Sequence, residues 1–272
     1  MGGLLRLRFA SYRDIFMAAQ IILFNAAFGF SLAALAVFSA GYVFGRTRLT
    51  QGTPLAMGLA WAALSAGLIL LWAQLGRPPL SNQYESLLTL IWFVFPLSFY
   101  FYRKTGKTEI LPAAALTACL LFGAAALLDR TARPLMPALR SNWLIIHVLS
   151  SMAAYAAFAL AAAAAAWALF KKNAGASADF LLRLAKTGFA FLTLGIVTGS
   201  VWADTAWGSW WSWDPKETWS LLTWLAYAAA LHLRKKGFTG ARFSIMMLVC
   251  FGLVLFTYFG VNFLLSGMHS YG

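Results

Sequence analysis

Charged side chains are scarce in this 272-residue sequence, at 11% of residues beside 61% hydrophobic ones. A water-soluble domain has about a quarter of its residues charged. This balance, with a mean hydropathy of +0.74, therefore excludes an ordinary soluble fold and makes lipid the solvent for most of the chain. Acidic residues are scarcest, eight Asp and Glu against twenty-one Lys and Arg, for a net charge of +13. In a soluble protein that excess would suggest nucleic acid; here the basic residues lie in short segments between apolar runs, where they anchor and orient helices. Only Cys119 and Cys250 could form a disulfide, and each lies inside an apolar run without a C-x-x-C neighbour. A disulfide framework and a thiol relay are thereby excluded. No phosphate-binding loop and no run of membrane carboxylates supplies an energy source. No nucleophile or general base stands out, and no alternating pattern argues for a membrane barrel.

What is present is a series of long apolar runs. A bilayer core of about 30 Å needs about 20 apolar residues of helix. Eight segments qualify, near 18–44, 55–75, 86–102, 110–128, 143–170, 187–204, 217–234 and 243–265, the third short and the fifth long. Backbone groups in lipid must be satisfied within their own segment. The expectation is an all-α polytopic membrane protein of about eight transmembrane helices, one membrane domain over 1–272. The apolar run from Ile15 to Phe44 is too long for a signal-peptide core and lacks a convincing cleavage site, so it is expected to remain as a helix. With the N-terminus outside, the inner loops hold thirteen Lys and Arg against eight on the outer side, which the positive-inside bias favours. Arg6, Arg8 and Arg13 dissent, and their alternation with Leu4, Leu5, Leu7 and Phe9 suits a short interfacial segment.

In that topology the segment 205–217 faces outward, and residues 207–219 hold five of the twelve tryptophans. An interfacial aromatic belt is the plain explanation of a tryptophan pair at a helix end. Belts spread around a circumference, however, whereas this cluster occupies one loop shaped by Gly208, Asp214 and Pro215. A flat apolar macrocycle with a polar edge needs such a wall of aromatic faces on a rigid backbone. Asp214 also reads as the N-cap of the seventh span, with Pro215 at its first position and Glu217 in its first turn.

Three histidines, His147, His232 and His269, are too few and too dispersed for a multi-histidine metal cage, but they suffice as axial ligands of haem iron. His147 follows Asn142-Trp143 at the outer end of the fifth span, and His269 follows the outer end of the eighth. Both fall on the tryptophan side. Trp143, Ser150 and Ser151 lie one turn from His147, so small residues leave room beside its ring. His232 comes fifteen residues after Glu217, roughly 22 Å along a helix toward the inner face. It reads either as part of a second, inner haem position or as an interfacial side chain snorkelling beside Arg234.

The loop Trp207-Gly208, Trp211, Trp213-Asp214, continued by Pro215-Lys216-Glu217-Thr218-Trp219, resembles the W-G-x-x-W-x-W-D signature of a haem-handling family. Its members are the cytochrome c maturation proteins called CcsA or ResC and, more distantly, CcmC. Similarity extends to Gly76–Ser86, the His147 region and Gly260–Tyr271. The resemblance implies that His147 and His269 ligate haem b over the loop, with Trp207, Gly208, Trp211, Trp213 and Asp214 forming the platform. It places His232 in an inner haem site whose second histidine belongs to a membrane partner called CcsB or ResB. It further implies presentation of haem on the extracytoplasmic face of a bacterial inner membrane for covalent attachment to apocytochrome c, in a lyase-type complex. A membrane regulator of haem synthesis, or a haem exporter with no attachment role, are the competing readings. Arg77 to Glu85 reads as a turn with Ser81 or Asn82 capping the next helix. Arg77, Arg133 and Arg140 are alternatively candidates for haem propionates, because guanidinium forks suit carboxylates. Asp204 is open between a solvated helix end and loop support.

Overall fold

The computed structural model describes residues 2–131, 136, 139–172, 174–265 and 267, with backbone alone for 2–13 and 174–177. His269 and Arg133 lie outside the described residues. Helices α1 (Gly2–Val43), a short α2 (Thr47–Thr50), α3 (Thr53–Leu75), α4 (Gln83–Thr105) and α5 (Ile110–Ala126) make up the first half. They are followed by α6 (Asn142–Phe170), α7 (Ala174–Trp207), α8 (Pro215–Lys235) and α9 (Gly240–Leu255). A π turn at Phe256–Gly260 and α10 (Val261–Leu264) continue α9. No strand occurs among the described residues.

A long helix falls on each of the eight expected spans. Among the described residues six stretches are long and apolar enough to cross a membrane, α5 is shorter, and α8 is diluted by polar residues at both ends. The chain is an all-α polytopic membrane protein. The shortness expected of the third span belongs instead to the fourth: α4 runs 23 residues and α5 only 17. The reason is local. The Asn82 side chain accepts from the Glu85 amide and starts α4 within a polar stretch that hydropathy does not read as helix. At the other end of the chain, residues 2–13 are helical and continuous with the first span.

Helix α6 is the axis of the bundle. Of its most apolar window 72% is buried, against 22% for that of α1 at the perimeter. Alanine dominates it from Ala153 to Ala168, and in lipid it is close packing of small residues that draws helices together. The tightest neighbour is α7, whose glycines face α6: a side chain on Gly188 would collide with Phe158, one on Gly195 with Ser151, one on Gly199 with His147. This close approach brings the starts of α4, α6 and α8 together with the ends of α7 and α10 around one cavity of roughly 310 Å³.

Candidate functional site

His147 stands on the wall of that cavity in a cradle made by α7. Its Nδ1 lies 2.7 Å from the Gly195 carbonyl oxygen. A carbonyl only accepts, so Nδ1 carries the proton, and in the neutral ring the lone pair falls on Nε2, the form in which imidazole binds a metal. Trp202, 1% exposed, stacks parallel to the imidazole with centroids 6.1 Å apart. Trp207 meets Trp202 edge-on at 4.8 Å. Gly199 is required by contact: a Cβ there would stand 2.5 Å from His147 Nδ1.

The tryptophan loop owes its shape to backbone geometry and one carboxylate. Gly208 turns the chain out of α7 with φ +73°, a conformation a side chain resists, and Trp213 takes φ +60° before α8. Asp214 caps α8 and Glu217 completes a capping box. Glu217 does more, since its carboxylate also accepts from the Ser212 amide at 2.8 Å and from the Ser212 hydroxyl. Ser209 donates to the Trp211 carbonyl and Thr218 to that of Trp213. Trp211 and Trp213 pack edge to face at 5.8 Å. The loop is thus tied at both ends while Trp210 and Trp213 remain 58% and 68% exposed.

His147 and Trp211 share the cavity wall, together with Trp210. Trp207 packs on Trp202, itself a wall residue, while Gly208 and Trp213 shape the loop without lining the cavity. Asp214 is buried and lies against Gly267, where any side chain would collide with the carboxylate. His232 is elsewhere, exposed near the opposite end of α8. Ala228 and Ala229 are the small residues one turn before it, and the adjacent Arg234 pairs with Asp179 at 2.7 Å.

Arg77 is committed within the protein. It makes a two-pronged ion pair with Glu85, at 2.8 and 3.1 Å, and Glu85 is 2% exposed. The amide and hydroxyl of Ser81 join the same carboxylate. Arg140 is exposed. The cation on the cavity wall is instead Lys216, whose Nζ donates to Asn262 Oδ1 at 2.9 Å. Lys216 is the second residue of α8, ahead of its apolar stretch. Burial pulls its ammonium down to about 8, the nearby Asp214 opposing the shift. Sequence reasoning missed Lys216, Asn262, Trp202, Gly195 and Gly199. Lys216 counted only as a loop charge, and the α7 residues gave no signal because their role depends on which helix they face.

An imidazole, indole rings and a cation thus stand together at one end of a helical membrane bundle. The sequence profile of a family described as Cytochrome C assembly protein matches residues 80–269, and the chain belongs to it. Among its relatives, the cytochrome c biogenesis protein CcsA of Chlamydomonas reinhardtii is 40% identical over 236 residues, 79% of this chain and 67% of the relative. CcsA of Parasynechococcus marenigrum (strain WH8102) is 36% identical over 270 residues, 84% of this chain and 87% of the relative. The fold is also similar to that of the cytochrome c haem lyase CcmF, with a TM-score of 0.72 at 20% identity over 92% of this chain. The chain spans 47% of the length of CcmF.

Proposed function

We propose that the chain binds haem b where His147 meets the tryptophan loop and presents it on the extracytoplasmic face of a bacterial inner membrane for covalent attachment to apocytochrome c. Family membership sets the process, cytochrome c maturation, and the names of the relatives, a biogenesis protein and a haem lyase, point to haem as the cargo. The observation that carries the reading is His147, tautomerically fixed by Gly195 and sharing a cavity with Trp210 and Trp211. That cavity, at about 310 Å³, is within the range of small-molecule sites. It offers a flat macrocycle an axial ligand, aromatic faces and a cation for its acidic edge.

In this reading His147 and His269 hold the iron from its two faces, and Trp207, Gly208, Trp211, Trp213 and Asp214 form and support the platform of the 205–217 loop. The chain contributes positioning. Each cysteine thiol of the acceptor adds across one haem vinyl group: a carbon–sulfur bond forms, the thiol hydrogen passes to the neighbouring vinyl carbon, and no net oxidant is needed. His232, exposed at the other end of α8, forms half of an inner haem site that a CcsB/ResB-type partner completes. The exposure of its side chain supports that division of labour.

The test is to purify the chain with its partner, record the absorption spectrum, and repeat with His147→Ala plus His269→Ala. Haem bands in the parent and their loss in the variant are expected. A parent preparation that neither carries nor takes up haem overturns the reading. A c-type cytochrome reporter in a host lacking its own maturation system isolates the attachment step: Trp213→Ala should lower holocytochrome yield severalfold, and an unchanged yield counts against presentation by this loop.

A further inference from the structure

Many of the polar groups around the cavity are spent inside the protein. Ser81 and Asn82 donate to Glu85, Gln83 donates to the Tyr258 carbonyl, and Ser86 pairs with the Tyr258 hydroxyl. Ser200 and Ser220 bond to carbonyls of their own helices, and Glu217 is taken by the loop. Among the charged groups of the wall, Lys216 is the exception. An ammonium has three donors; one reaches Asn262, a neutral acceptor, and no carboxylate lies within ion-pairing distance of it among the described residues. Lys216 is partly buried, the Asp214 carboxylate acts on it only from beyond ion-pairing distance, and a cation so placed is better matched by an anion that reaches it. Asn262 reinforces the point. Because Lys216 can only donate, the amide must turn its oxygen to it, which leaves the amide N–H₂ as a further donor beside the ammonium.

We infer that Lys216 and Asn262 form a carboxylate subsite of the cavity, and that the carboxylate it takes is a propionate of the haem held by His147. This rests on the haem reading above and adds an orientation to it. The two propionates of haem b lie on one edge of the macrocycle and the two vinyl groups toward the other. Anchoring a propionate at Lys216 therefore turns the vinyl edge away from this wall and leaves it available to the acceptor thiols. Arg77 has no part in the subsite, because Glu85 already occupies its guanidinium.

The experiment titrates the full-length protein in detergent with ferric protoporphyrin IX and with its dimethyl ester, which keeps the ring, the iron and the vinyl groups but lacks both carboxylates. Binding is followed by absorption. The parent protein should bind haem roughly ten- to a hundredfold more tightly than the ester, the range expected for one hydrogen bond to a charged group. Lys216→Met should bring haem affinity down to that of the ester while leaving ester affinity unchanged, which also shows that the variant is folded. Lys216→Arg should retain most of the preference. Equal affinities of the parent for haem and ester overturn the subsite while leaving the haem reading intact. So does a Lys216→Met variant that weakens both ligands alike. Binding of neither ligand by the parent removes the haem reading itself, and the subsite with it.

Discussion

Gly199 is the residue on which the position of His147 most directly depends. A methyl group there would press on the imidazole from 2.5 Å, too close for the ring to keep both its bond to Gly195 and its stack on Trp202. Gly199→Ala is expected to cost about 1–3 kcal/mol as an overpacked contact. It should also weaken or shift the haem absorption bands toward those of His147→Ala. Gly58, also helical but with open space around its α-carbon, supplies the control: Gly58→Ala should leave the bands unchanged. A Gly199→Ala protein with parental bands would show that α7 does not position the ligand. His147 itself was legible as a candidate from its place at the end of an apolar run. Its tautomer was not, because Gly195 is 48 residues away in sequence.

At the scale of elements, two helix starts determine the site. Helix α8 begins with a capping box whose Glu217 also holds Ser212 and so ties down the loop. Glu217→Ala should free the loop with a loss of about 1–2 kcal/mol. Hydrogen exchange should rise at 208–214 while the interior of α8 stays protected; uniform exchange would contradict the anchoring role. Helix α4 begins over the Arg77–Glu85 pair. Removing one partner of a buried pair leaves an uncompensated charge and costs about 3–5 kcal/mol. Arg77→Met alone should therefore lower thermal stability in detergent more than Arg77→Met combined with Glu85→Gln, in which no charge is stranded. If the double variant is the weaker of the two, the pair is not buried as described. The caps at Asn82 and Asp214 could be read from sequence, since Asx residues ahead of an apolar stretch signal a helix start. The further use of Glu85 and Glu217 as anchors could not, because it depends on how the preceding loop folds back.

The fold places His147 and His232 at opposite ends of one helix bundle, and this makes membrane orientation testable. Ser212→Cys should react with a membrane-impermeant maleimide on intact spheroplasts, whereas Thr239→Cys at the far end should react only after permeabilisation. The native thiols do not interfere greatly, Cys250 being buried and Cys119 partly so within α5. Labelling of the two positions from the same side would overturn the proposed topology. His232→Ala should reduce haem loading of the complex as a whole, and loss confined to the outer-site spectrum would contradict an inward entry site.

Composition and periodicity alone determined that this chain is a helical membrane protein, where its spans lie, and that the loop at 207–214 is exceptional. These follow from local chemistry: hydropathy, caps and residue density are properties of contiguous segments. What only the tertiary structure decided is which side chains share a cavity. The small residues of α6 and α7 allow the approach that puts Gly195, Gly199 and Trp202 around His147, and the ends of α8 and α10 bring Lys216 to Asn262. Of the arginines that match carboxylates by residue type, Arg77 is spent on Glu85, while the cation on the cavity wall is a lysine. A charge acquires a function from the partner it lacks as much as from the one it has, and that is known only when the fold has distributed the partners.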